Sequence, residues 1–131
     1  MGNTCYMNSI IQALSYTKSL TNLILFNSYL HYINSDNPWG CGSEIVTAYA
    51  DLIKSLWTGN NRPVSPIDFK RIINSKTDNF TDNQQHDSQE FLQFLLNGLH
   101  AELNSFCVDY SVIVKWFQVC LLVAFNGHII Y

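Results

Sequence analysis

Cys5 is the residue in this chain best placed to do chemistry. It follows Thr4, a good helix N-cap, and Tyr6, Met7, Ile10, Ile11 and Leu14 follow at helical spacing. The pattern predicts a helix with Cys5 in its first turn. Unpaired backbone N–H groups and the positive end of the helix dipole lie there, and both favour the thiolate, the nucleophilic form of cysteine. Such a cysteine is a candidate for covalent catalysis. A buried structural role competes with it, because free cysteines are among the most buried residue types. The other cysteines, Cys41, Cys107 and Cys120, form no C-x-x-C pair, so no zinc site is expected and no cofactor is assigned.

A second constellation lies at Gln85-His86-Asp87-Ser88-Gln89-Glu90. Asp87 to Glu90 reads as a capping signal, which puts two carboxylates in the first turn of a helix. They suit the dipole there and can pair with arginine through charge-assisted hydrogen bonds. Capping is an equal candidate role for Asp87, and the two roles are compatible. Gln85 taken alone reads as a polar loop residue.

The elements that must position these residues are helices. A second apolar stretch, Leu20 to Leu30, reads as a short helix, and Asn34 to Gly40 as a loop dense in turn formers. Ser43 is expected to cap a third helix whose buried face is Ile45, Val46, Tyr49, Leu52, Ile53 and Leu56, ended by Gly59-Asn60-Asn61. Ser65 as N-cap, Pro66 at the first helical position and Asp68 at the third start a short fourth helix that ends near Asn74. Ser75 to His86 is polar without periodicity and reads as a loop. The clearest helix follows, with Phe91, Leu95, Leu99 and Leu103 on one stripe and Leu92 and Leu96 beside it. From about Phe106 the character changes: Val108, Tyr110, Val112, Val114 and Trp116 alternate in the manner of a strand. The expected architecture is mainly α, about five helices, with one or two C-terminal strands. Residues 1–104 form the helical unit and 105–131 an apolar tail.

Composition bounds the function. With 47% apolar and 14% aromatic residues the chain of 131 residues can build a core. Charged residues are 13%, about half the usual share of roughly 25%, which suggests surface meant to be covered by another subdomain or a partner. A net charge of −3, with seven scattered Lys and Arg, argues against nucleic acid as a partner. Met1 to Cys5 has no basic start before an apolar run, so no signal peptide is expected. Tyr6 stands where myristoylation would need Ser or Thr. The segment Val112 to Phe125 is interrupted by Lys115 and Gln118 and falls short of the roughly 18–20 apolar residues of a membrane span. A reducing compartment, cytoplasm or nucleus, is the expected setting.

Two stretches of sequence carry a family resemblance. Gly2-Asn3-Thr4-Cys5-Tyr6-Met7-Asn8-Ser9, continuing to Leu14, resembles the cysteine box of the ubiquitin-specific proteases. Gln85 to Leu92, continuing to His100, resembles the same family's glutamine–aspartate box and the helix after it. Leu56-Trp57-Thr58-Gly59 and Ser65 to Phe69 look like further family segments between them, so the resemblance runs from Gly2 to Asn104. It implies the thumb-like helical part of a papain-like α+β cysteine protease that cuts after the C-terminal glycine of ubiquitin. Cys5 would be the nucleophile, Asp87 and Glu90 would face the basic tail of ubiquitin, and Gln85 would hydrogen-bond near the cleft. Asn8 and Ser9 belong to the box but receive no chemical role.

The chain also departs from the family pattern. The mechanism needs a histidine base and an orienting Asp or Asn. His31, His86 and His100 do not match the family's histidine, and only Gly127-His128 echoes its Gly-His-Tyr. His128 is therefore the one candidate base, with no Asp or Asn after it. The family's oxyanion-donor asparagine, which lies five residues ahead of the cysteine, would precede Met1, and loss of such a donor typically costs about 10²–10³ in rate. Ser111 to Phe117 resembles the strand that opens the family's palm. The leading expectation is a cysteine-type deubiquitinase present as a truncated catalytic domain. Its competitors are a non-catalytic fragment that binds ubiquitin or another partner, and an unrelated helical interaction module. Apolar surface left without a palm would promote self-association.

Overall fold

The computed structural model describes residues 4–34, 42–59, 63–80 and 85–104. Five α-helices make up the described part: α1 (Cys5–Ser15), α2 (Lys18–Leu25), α3 (Glu44–Trp57), α4 (Ile67–Lys76) and α5 (Ser88–Leu103). Short 3₁₀ turns follow α2 (Ser28–His31) and α4 (Asp78–Phe80). The mainly α expectation holds, and no strand occurs among the described residues. The expected C-terminal strands and the 105–131 tail lie outside them.

Apolar spacing explains which faces turn inward. Met7, Ile11 and Leu14 of α1, Leu20 and Ile24 of α2, Ile45, Val46, Tyr49 and Ile53 of α3, Phe69 and Ile73 of α4, and Phe91, Leu95 and Leu99 of α5 form one buried core. Helix α3 packs against α2, α4 and α5, and α1 packs against α2 and α5. Helices α3 and α5 approach closely at Gly98, where an added Cβ would stand 2.8 Å from Ile45 Cδ1. The Tyr49 hydroxyl is buried in this core with no hydrogen-bond partner among the described residues, and burial raises its pKa well above the ordinary tyrosine value.

Four local expectations are corrected. Leu56, expected on the buried face of α3, is 37% exposed near the end of that helix. The helix expected from Leu20 to Leu30 stops at Leu25, because Asn27 turns left-handed (φ 57°) before the 3₁₀ turn. Asparagine adopts that conformation more readily than most residues. Helix α4 runs past Asn74 to Lys76, and the polar stretch after it is not all loop: Phe80 of the second 3₁₀ turn is buried at 1% exposure. The caps differ most. Thr4 and Ser43 make no side-chain cap bond, Ser43 is itself left-handed (φ 70°), and α4 starts after Pro66 rather than after Ser65.

The N–H groups that Ser43 was expected to satisfy go to another helix. Glu102, fully buried on α5, accepts hydrogen bonds from the Ile45 N–H (3.2 Å) and the Val46 N–H (2.7 Å). Its negative charge meets the positive end of the α3 dipole, which offsets part of its desolvation. At the end of α5, the Asn34 N–H donates to the Glu102 carbonyl (2.8 Å) and Asn34 Nδ2 to the Asn104 carbonyl (2.9 Å). These bonds satisfy carbonyls that the helix end leaves unpaired.

Replacing Glu102 by Ala should therefore cost roughly 3 kcal/mol or more in urea unfolding, since two buried N–H groups lose their acceptor. Glu102→Gln keeps one acceptor oxygen and should cost about half as much. An Ala variant within about 1 kcal/mol of the parent would contradict the capping role.

Candidate active site

Cys5 is the first residue of α1, and it is exposed, so the buried structural alternative does not hold. The Thr4 carbonyl starts the helix by accepting from the Asn8 N–H at 2.9 Å, and Thr4 Oγ1 receives a long bond from Asn8 Nδ2 (3.5 Å). Ser9 Oγ donates to the Tyr6 carbonyl at 2.9 Å. Asn8 and Ser9 thus spend their side chains on local bonds.

The chain turns inward one residue after Cys5. Tyr6 is 4% exposed, and its ring stacks on Phe80 (centroids 5.8 Å apart) and meets the rings of His86 (5.2 Å) and Phe91 (5.4 Å) edge to face. Phe80 in turn meets His86 (5.4 Å), Phe91 (5.5 Å) and Phe94 (5.6 Å). Edge-to-face pairs at this spacing contribute about 0.5–1.5 kcal/mol each beyond area burial. Five rings therefore join the start of α1 to the segment that enters α5. This joint brings the two sequence boxes together.

Asp87 stands at the entry to α5 in extended conformation (φ −71°, ψ 124°) and caps it: Oδ1 accepts from the Gln89 N–H at 2.7 Å, and its carbonyl accepts from the Phe91 N–H at 3.1 Å. Asp87, Glu90 and Gln85 are all exposed. Two exposed carboxylates thus stand at the N-terminal turn of α5, beside the joint whose other side carries an exposed thiol. Carboxylates so placed can pair with a cationic group, and an exposed thiol can act as a nucleophile.

The described histidines serve other surroundings. His31 ends the first 3₁₀ turn and is exposed, and His86 sits in the ring joint. His100 is half-buried on α5, where burial lowers its pKa below the ordinary histidine value. His128 lies outside the described residues. A groove between α3 and α4, lined by Thr47, Asp51, Leu52, Val64, Phe69 and Ile72 among others, includes none of the candidate site residues. Among the described residues no group of three or more His, Cys, Asp or Glu could hold a metal ion, and no helix is long and apolar enough to cross a membrane.

The side chains that sequence reasoning passed over are Tyr6 and Phe80. Tyr6 reads as one more apolar residue of the α1 stripe. Phe80 is a lone aromatic in a polar stretch, a weak signal that a buried anchor interrupts the loop.

Comparisons with known proteins cover most of the chain. The sequence matches the family model "Ubiquitin carboxyl-terminal hydrolase" over residues 1–122. Ubiquitin carboxyl-terminal hydrolase 4 of Bos taurus is 49% identical over 104 residues, 79% of this chain and 11% of that protein. Ubiquitin carboxyl-terminal hydrolase 15 of Xenopus tropicalis is 47% identical over 104 residues, again 79% of this chain and 11% of the relative. Ubiquitin carboxyl-terminal hydrolase 19 of Rattus norvegicus is 44% identical over the same length, 79% of this chain and 8% of the relative. The chain thus spans about a tenth of the length of the relatives it matches.

The cap geometry gives a direct test. Asp87→Ala should lower stability by about 1 kcal/mol, whereas Asp87→Asn, which keeps an acceptor oxygen, should change it by only a few tenths. Thermal unfolding of the two variants checks this, and equal losses in both would show that the cap bond is not what Asp87 contributes.

Proposed function

Since the chain belongs to the ubiquitin carboxyl-terminal hydrolase family of ubiquitin-specific proteases, we propose that it is the thumb-like, nucleophile-bearing part of a papain-like domain that cuts after the C-terminal glycine of ubiquitin. In this reading the Cys5 sulfur attacks the glycine carbonyl. The lysine amine leaves with a proton, and water then releases ubiquitin from the thioester. Asp87 and Glu90 face the cationic tail of ubiquitin, and Gln85 hydrogen-bonds beside the cleft. The observation that supports the reading is the ring contact between Tyr6, which follows the exposed Cys5, and His86, which lies between the exposed Gln85 and Asp87.

A second reading, a fragment that binds ubiquitin or another partner without turnover, is favoured by one observation. The described histidine in contact with the residue beside Cys5 is His86, and its ring is engaged with Tyr6 and Phe80. The base would then have to be a group other than His86.

Reaction of the chain with ubiquitin carrying a thiol-reactive group at its C-terminus separates the readings. A covalent adduct absent from Cys5→Ala and slowed by Asp87→Asn supports the nucleophile and the charge role. No adduct from a folded sample would retire the hydrolase reading in favour of the binding fragment.

We also propose that the chain self-associates through exposed apolar side chains. Tyr16 is 73% and Trp57 50% exposed, their rings meeting at 6.4 Å, and Phe26 is 75% exposed. Sedimentation should show apparent mass rising with concentration and a weaker rise in a Tyr16→Ser, Trp57→Ser variant. A monomer at all concentrations would refute it.

A further inference from the structure

The ring joint has a property that core packing alone does not require. Tyr6 is the neighbour of Cys5, and His86 is the neighbour of both Gln85 and Asp87. One ring contact, 5.2 Å between centroids, therefore links the thiol-bearing residue to the turn of carboxylates with a single residue intervening on each side. Consecutive Cα atoms are about 3.8 Å apart, so the contact lies one residue from Cys5 and one residue from each of Gln85 and Asp87. A misplacement of about 1 Å can cost about 10²-fold in a reaction between positioned groups. Both rings are held from further directions: Phe80 packs against each of them, and Phe91 against Tyr6 and Phe80.

We propose that Tyr6 and His86 are positioning residues, whose ring contact sets where the Cys5 thiol stands relative to Gln85 and Asp87. The inference rests on the reading of Cys5 as nucleophile and of the Gln85–Glu90 turn as the ubiquitin-facing surface. In this proposal the two rings position the reacting groups and do not react themselves. Each acts through the backbone of its neighbour: Tyr6 by fixing the first turn of α1, His86 by fixing the approach to α5. What the rings must keep is shape, so a variant that retains a ring should retain the function.

The test uses the full chain with Cys41, Cys107 and Cys120 changed to Ser, so that Cys5 is the one thiol. His86→Ala and Tyr6→Leu remove a ring; His86→Phe and Tyr6→Phe keep one. His86 is half-buried, so His86→Ala is the deciding variant should Tyr6→Leu fail to fold by circular dichroism. Reaction with ubiquitin bearing a C-terminal electrophile is followed at increasing concentration, beside iodoacetamide as a small reagent that needs no positioning. The ring-deleting variants should lose about tenfold or more in limiting rate while the half-saturating concentration and the iodoacetamide rate stay near the parent's, and the ring-keeping variants should stay within about threefold.

A second measurement does not depend on ubiquitin. Nitroxide labels at Cys5 and at Gln85→Cys should give one narrow distance distribution in the parent and in the ring-keeping variants, and a broad one after ring deletion. A ring-deleted chain that keeps the parent's limiting rate, or its narrow distribution, overturns the proposal. A parent that never reacts with the ubiquitin electrophile, yet shows the ring-dependent distribution, overturns the hydrolase reading and leaves the positioning role standing.

Discussion

Helix α3 begins at an exposed residue, Glu44, but the N–H groups of Ile45 and Val46 in its first turn are buried and must find acceptors there. The helix cannot supply them, because its own bonds start four residues later. Ser43 does not supply one either, being left-handed with no side-chain cap bond. Both acceptors are oxygens of one carboxylate, Glu102, brought by α5. An unmet N–H in such a place costs about 1–3 kcal/mol, so α3 and α5 cannot slide past each other without losing both bonds at once. Gly98 lets the backbones come close enough for the bonds to form, with Ile45 filling the space that a Cβ would take. Asn34 closes the end of α5 in the same region. Register, helix start and helix end are thus fixed by one cluster of polar contacts.

The consequence is felt at the far end of α5. Sixteen residues make a rod of about 24 Å, and the residues with candidate chemistry stand at the end opposite Glu102. That end is held differently, by rings rather than by a charge. Tyr6, Phe80, His86, Phe91 and Phe94 lock α1 to the entry of α5, while Asp87 satisfies the Gln89 N–H. A helix anchored at both ends offers its first turn as a fixed platform, and groups on rigid elements are held more closely than groups on loops. The exposed thiol and carboxylates have fixed backbones without being buried themselves.

Much of this was legible from sequence, and the parts that were not share a physical cause. The α1, α3 and α5 stripes follow from period alone, because Ile45, Val46, Tyr49 and Ile53, or Phe91, Leu95 and Leu99, bury one face whatever they pack against. Caps do not follow so easily. Thr4, Ser43 and Ser65 carry the right chemistry at the right place, yet only Asp87 uses it, since an N–H group takes the acceptor that tertiary packing provides. Glu102 in the last turn of an amphipathic helix looks like a solvated charge, and its partners lie more than fifty residues away in sequence. Phe80 has no periodic company, so its burial is invisible until α1 and α5 are placed around it. The pairing of Cys5 with Asp87 came from the pattern of the two boxes, not from any spacing rule, and the joint supplies the physical reason why the boxes belong together.

The two functional readings differ by one proton acceptor. A thiol that attacks a carbonyl must give up its proton, and the departing amine must take one, through a group within about 2.6–3.2 Å. A general base of this kind contributes about 10²–10⁴ in rate. The carboxylates act on another quantity: a hydrogen bond to a charged group is worth about 1.5–3 kcal/mol, and in the bound state it serves recognition whether or not the bond is cut. Loss of the base would therefore end turnover long before it ended binding. Among the described residues the imidazole in contact with Tyr6, the neighbour of the candidate nucleophile, is His86, which lies edge to face against two rings. On the hydrolase reading, the helical unit would place the nucleophile and the charge and leave proton transfer to another group. A hydrolase and a binding fragment can share this architecture residue for residue.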